Sequence, residues 1–291
     1  GMGRDLYQAS PAARAVFQTA DRVLGFPLST LCFEGPEEEL RRTVNTQPAI
    51  MAVSLAALAA ARESGPAAGV RPAFVAGHSL GEYTALVAAG ALDLETGLRL
   101  VRERGRLMQE AGERNPGTMA AIIGLEEEAV AALCREAGAE LCNLNGGGQI
   151  AVGGPEAAVA RAMELARERG AARAVPLNVG GAFHTSLMAP AAEGMRRAVA
   201  EVQFRDPAVP VVANCTARPL TTAEEVRQEL VDQLCSAVQW ERSVRWMTEA
   251  GVTTFWEIGP GRVLAGLIRR IAGKGVDVVN LGTAEAVQRL G

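Results

Sequence analysis

The chain is short of histidine and of paired cysteine. Two histidines, His78 and His184, stand among 291 residues, and five cysteines (Cys32, Cys134, Cys142, Cys215 and Cys235) are scattered without a CxxC pair. A zinc site would have almost no ligands to draw on, so no metal centre is expected. Dispersed thiols, odd in number, read as reduced side chains of a cytoplasmic protein. Charge of one sign is scarce too. A net charge of -4 is too mild, and of the wrong sign, for general nucleic-acid binding. Arg, Glu and Gly interrupt the helix-like stretches, so no membrane span is expected, and no basic-then-apolar leader is readable at the start. There is no P-loop and no GxGxxG. Internal repeats and low-complexity linkers are missing as well.

What is present is a chain long enough, with 48% apolar residues, for one large domain or for a domain carrying a smaller insert. Helix and strand signals alternate, which favours an α/β class. An alanine-rich helix is predicted from Pro48 to Glu63, a short strand over Ala73–Ala76, then helices over Gly81–Ala89 and Leu94–Ala111. Near Thr118 the pattern changes. "TMAAIIGL", "EEEAVAALCREAG", "AELCNLNGGGQIAVGG", "PEAAVARAMELARERG" and "ARAVPLNV" read as strand, helix, hairpin, helix and strand. That β-α-β-β-α-β order is ferredoxin-like and closes on itself, so residues 118–183 are predicted as a compact insert. Residues 1–117 and 184–291 then form the larger part. Its later strands, Val209–Ala213, Thr254–Ile258 and Val276–Leu281, are expected to rejoin the sheet that holds Ala73–Ala76.

The segment Gly77-His78-Ser79-Leu80-Gly81 matches GxSxG, between a predicted strand and a predicted helix. A serine at such an elbow is lifted out of the sheet, and the flanking glycines let the backbone bend. The Leu80 N–H would lie at a helix N-terminus, where it can stabilise an oxyanion. A serine nucleophile needs a base. His78 adjoins Ser79 in a tight turn, so its ring is expected to point away. Elimination leaves His184, in "GAFHTSLMAP", at the exit of the insert. No Asp or Glu stands out as a third member. The expectation is a Ser–His pair oriented by something other than a carboxylate.

The helix "LETGLRLVRERGRLMQEA" carries a second anomaly. At about 100° per residue, Leu94, Leu98, Val101, Gly105 and Met108 share a stripe. Arg99, Arg102, Glu103, Arg106 and Glu110 cover the wet face. Arg104 breaks the pattern, between Leu100 and Leu107 in the apolar arc. A guanidinium does not lose its proton, so a buried one needs an anion. Either it makes a structural ion pair or snorkels to water, or it holds a substrate carboxylate with two hydrogen bonds.

Together, "AGHSLGEYTALVAAGAL", "RLVRERGRLMQEA", "GTMAAIIGL", "GAFHTSLMAPAA" and "EIGPGRVLAGLI" resemble the malonyl-CoA:acyl carrier protein transacylases, in order and over nearly the whole chain. The resemblance implies an α/β-hydrolase-like large subdomain with an inserted ferredoxin-like small one. It implies transfer of malonyl from CoA to the pantetheine thiol of acyl carrier protein through a malonyl-serine, with CoA thioester as substrate and no cofactor. By resemblance Ser79 is the nucleophile, His184 the base, Leu80 an oxyanion donor and Arg104 the holder of the malonyl carboxylate. Gln233, in "DQLCSAVQW", would orient the histidine through its backbone carbonyl. Phe183 fits the malonyl-type pattern, and with Met108 it is expected to line the pocket. Asn145 sits in a loop that is equally a hairpin turn. The implied protein is a cytoplasmic monomer without nucleic-acid or membrane partners.

The family opens with a strand and a "GQGSQ"-like loop whose glutamine is the second oxyanion donor. Gly1-Met2-Gly3 looks like the residues just after that loop, so a missing donor and a missing core strand are expected here. Such a donor is worth ~2.7–4 kcal/mol in the transition state. Carrier proteins are acidic. Arg262, Arg269, Arg270 and Lys274 are candidates for meeting one, and equally a solvated helix face. Three rivals remain: a freestanding polyketide-type acyltransferase, a serine esterase, and a chain that only docks a carrier protein. Arg104, and the lack of an acid in Ser…Asp…His order, count against the esterase.

Overall fold

A computed structural model describes residues 1–63 and 67–290. The molecule is α/β. The larger part is mostly helical and is organised around the helix Thr43–Glu63, buried from Asn45 to Ala61 along much of its length. Among the described residues this is the one helix long and apolar enough to cross a membrane, so the sequence expectation of no such run needs correcting. Here its apolar surface is covered by the helices Pro11–Leu24 and Leu94–Arg114. Its start also differs, by five residues, from the predicted Pro48. Proline has no N–H for the Val44 carbonyl four residues back. Arg102 Nη1 fills that gap, donating to Val44 O at 2.8 Å and to Asn45 Oδ1 at 2.5 Å. Arg102, expected on the wet face, is therefore partly buried as a clip across the proline.

Strand β1 (Val75–Ala76) leads into the GxSxG turn and the helix Leu80–Ala88, the elbow helix below. Strands β2 (Thr118–Ile123), β3 (Glu140–Gly146), β4 (Gln149–Gly154) and β5 (Arg173–Leu177) form an antiparallel sheet in the order β3-β4-β2-β5. The helices Glu127–Ala137 and Glu156–Glu168 cover one face, burying Ile122, Leu133, Val152 and Leu165 between them. The alternate residues Met119, Cys142 and Ala151 pack with Leu177, Val179 and Phe183 on the other face, as a strand's two-residue period requires.

The edge strand β3 ties this sheet to the larger part. Leu144 N–H donates to Val238 O at 2.9 Å, and Val238 N–H to Cys142 O at 2.8 Å. Strands β6 (Val211–Val212) and β7 (Pro219–Leu220) join β1 in the order β1-β6-β7, with β1 and β6 parallel. Strands β8 (Thr254–Ile258) and β9 (Asp277–Leu281) were expected in that sheet, but they pair in parallel as a separate one. Two-residue strands offer few ladder bonds. What joins the sheets is packing: Val75, Val211, Trp256, Ile258 and Val279 meet in one apolar core.

Candidate active site

The turn after β1 is tight enough to demand glycine at one position. A Cβ on Gly77 would stand 2.0 Å from the Gly81 carbonyl carbon and 2.6 Å from the Glu82 nitrogen. Gly81 is under no such constraint, since nothing lies within 4 Å of its added Cβ. The elbow thus needs the first glycine of the motif for its geometry, whereas the sequence pattern suggested both. Ser79 itself sits at φ 53°, ψ −111°, a conformation side-chain-bearing residues rarely adopt. Asn214, just past β6, fixes it there. Its Oδ1 accepts the Ser79 N–H at 2.7 Å, and its Nδ2 donates to Gly77 O at 2.7 Å.

His184 Nε2 lies 2.8 Å from Ser79 Oγ. Its Nδ1 lies 2.9 Å from the Gln233 backbone carbonyl. A carbonyl only accepts, so Nδ1 carries the proton and Nε2 presents a lone pair to the serine hydroxyl. His184 also has positive φ, 61°. Among the described residues, the Ser–His pair makes up two of three non-glycine residues with positive φ. Burial first, then the Arg104 charge, push the His184 pKa from 6.5 down to about 3, with the Gln233 carbonyl working the other way. The imidazole is neutral and ready to accept a proton.

Arg104 is buried, 1% exposed. Its Nη1 donates to Gln47 Oε1 at 2.8 Å, and its Nη2 donates to Gln233 Oε1 at 2.7 Å and Ser79 Oγ at 3.1 Å. The guanidinium lies over the Tyr83 ring, 5.2 Å from its centroid. It makes no ion pair among the described residues, and its Nε–H has no partner. Neutral amides and a hydroxyl hold the cation in place without cancelling its charge. Both bland sequence readings of Arg104, an ion pair or a snorkel to water, fail on this geometry.

Leu80 is the first residue of the elbow helix, so its N–H has no acceptor within the helix and is free for a ligand oxygen. Met108 is buried, with Sδ 3.3 Å from Nε2 of Gln47, the residue that holds Arg104. Phe183 packs both in the main core and against the inner face of the small sheet, one residue before His184. His78 does turn away from the serine: its Nε2 meets Asn145 Oδ1 at 2.8 Å, beside the Trp240 ring. Asn145, left open in the sequence, is thereby a link from the small sheet to the elbow. Arg262, Arg269, Arg270 and Lys274 are exposed; Arg270 donates to Gln149 Oε1 at 3.2 Å and Arg269 to Val278 O at 3.0 Å.

Sequence reasoning missed Asn214, Gln47, Glu82 and the side-chain role of Gln233. Glu82 could have been found. It is the only charged residue of the elbow helix "LGEYTALVA", the same kind of break that singled out Arg104.

Among known proteins, a model of the acyl transferase domain matches residues 1–285. A malonyl CoA-acyl carrier protein transacylase of Bacillus subtilis is 45% identical over 276 residues, covering 93% of this chain and 86% of that protein. The crystal structure of an acyl-carrier-protein S-malonyltransferase from Bartonella henselae superposes with a TM-score of 0.94 at 42% identity, covering 99% of this chain and 93% of that one. A malonyl-transacylase in complex with its type II PKS acyl-carrier protein gives a TM-score of 0.94 at 40% identity, with the same coverage.

Proposed function

The chain belongs to the acyl transferase domain family, and from that premise we propose that it moves a malonyl group from CoA to the pantetheine thiol of acyl carrier protein. The observation that carries this reading is the buried Arg104, unpaired with any carboxylate among the described residues and hydrogen-bonded to the Ser79 oxygen. It asks for an acyl group that ends in an anion.

The reaction runs in two halves. The malonyl carboxylate pairs with Arg104, whose Nε–H is unused. His184 Nε2 takes the Ser79 proton as Oγ bonds to the thioester carbon. The carbonyl electrons move to an oxyanion facing the Leu80 N–H. Collapse breaks the C–S bond, and His184 returns its proton to the CoA sulfur. Malonyl-Ser79 remains as an ester. The carrier thiol then gives its proton to His184 and attacks that ester, and Ser79 leaves with the proton. No metal or bound cofactor enters any step. The Gln233 carbonyl orients the imidazole, while Phe183 and Met108 bound the acyl pocket.

Arriving substrate also sharpens the base. One serine oxygen separates the guanidinium from the imidazole. At ~6 Å and an effective dielectric of ~20, the cation costs the protonated imidazole about 3 kcal/mol. A carboxylate on Arg104 cancels much of that, so a malonyl group raises the basicity of His184 where a neutral acyl group does not.

We read residues 1–117 and 184–291 as the α/β-hydrolase-like subdomain and 118–183 as the ferredoxin-like one. The strand order β3-β4-β2-β5 supports the latter. The protein is further read as a cytoplasmic monomer whose partners are malonyl-CoA and carrier protein. Supply of malonyl to a polyketide-type carrier is the second reading, favoured by the relative whose partner is such a protein. Incubation with malonyl-CoA, with and without holo carrier protein, tests the proposal. Malonyl should appear on the carrier thiol, with little free malonate. Rapid release of malonate regardless of carrier would mark an esterase.

A further inference from the structure

Glu82 is wholly buried in the elbow helix and makes no ion pair among the described residues. Its Oε1 accepts the Asn214 backbone N–H at 2.8 Å, and its Oε2 accepts from Gln233 Nε2 at 2.5 Å. Gln233 Nε2 also donates to Ser79 O at 3.0 Å. Both amide hydrogens are thereby committed, so Gln233 Oε1 is left to face Arg104 Nη2 at 2.7 Å. With the amide reversed, an NH2 group would confront the guanidinium and an oxygen would confront the carboxyl. An NH2 group cannot accept from the guanidinium, so the bond to Arg104 would be lost. The same carboxyl braces Asn214, whose side chain holds the Ser79 N–H.

A second buried carboxyl, Glu229, neighbours Glu82 and accepts the Cys215 N–H at 2.9 Å. Burial, then the Glu229 charge, raises the Glu82 pKa well above its ordinary value. The acceptor role of Glu82 rests on its geometry: one oxygen takes the Asn214 N–H and the other the Gln233 amide.

Resting on the transacylase reading, we propose that Glu82 is a positioning residue for malonyl selectivity: it fixes the amide sense of Gln233 and so holds Arg104 beside Ser79 Oγ, without touching substrate.

The experiment compares kcat/KM for malonyl-CoA and acetyl-CoA in the full chain. Glu82→Gln offers one acceptor where two N–H groups need one each. The malonyl-over-acetyl ratio should fall about tenfold, the worth of one misdirected charge-assisted hydrogen bond. Gln233→Leu keeps the backbone carbonyl for His184 and deletes the amide. In that background Glu82→Gln should lower the ratio no further, because its effect runs through the amide. A folded Glu82→Gln protein with an unchanged ratio, or losses that simply add, overturns the proposal. Should Glu82→Gln not fold, the unsubstituted protein with isotope-labelled glutamine decides. The side-chain amide signal that Gln233→Leu removes should resist exchange with heavy water, and rapid exchange overturns the proposal. That readout needs no turnover, so it stays separate from failure of the transacylase reading.

Discussion

His184→Ala should slow formation of malonyl-Ser79 by about two to four powers of ten, the usual contribution of a positioned general base. Stopped-flow measurement of CoA release in a single turnover checks it. Circular dichroism confirms that the variant is folded before its rate is read. Near-normal acylation would take His184 out of the mechanism. The pH dependence has a definite sign. An ordinary imidazole titrates at about 6.5, so acylation relying on one would fade between about pH 7 and pH 5. His184 is held down to about 3, so it remains a free base through that window. The unsubstituted enzyme should show no loss of acylation with an apparent pKa near 6.5. Stability behaves differently from acylation. Between about 6.5 and about 3 the unfolded chain takes up a proton that buried His184 refuses, so its contribution to stability falls as pH drops through that range.

Arg104→Ala should lower kcat/KM for malonyl-CoA by about two to three powers of ten, as expected when one partner of a buried charge pair is deleted. Acetyl-CoA should be accepted relatively better, for two reasons. The neutral acyl group no longer leaves a buried cation unpaired. The imidazole also regains basicity once the neighbouring charge is gone. Steady-state kinetics with both thioesters reads the ratio. An unchanged preference for malonyl would make Arg104 structural, and the amides of Gln47 and Gln233 would then be its purpose rather than its support.

The three residues that the structure brings together were legible because each breaks a local pattern. Ser79 lies in a glycine-flanked turn, Arg104 in an apolar arc, and His184 is one of two histidines. The Gln233 carbonyl was reachable only through family resemblance, since no side-chain pattern marks a backbone atom. The bracing was invisible for another reason. Asn214 reaches Ser79 across 135 residues and Gln233 reaches Glu82 across 151, and neither spacing leaves a trace in the local sequence. The four-stranded sheet β2–β5 was readable because its strands are five to seven residues long and alternate with amphipathic helices. Strands β1 and β6, two residues each, are too short to show a period, and the separate pairing of β8 with β9 could not be read from them.

Intact mass spectrometry after brief exposure to malonyl-CoA, with peptide mapping of the product, bears most directly on the site. One malonyl group should be found on the peptide that carries Ser79, and it should disappear when holo carrier protein is added. An unmodified Ser79, or a malonyl group on any other side chain while transfer proceeds, would contradict a covalent relay through this serine.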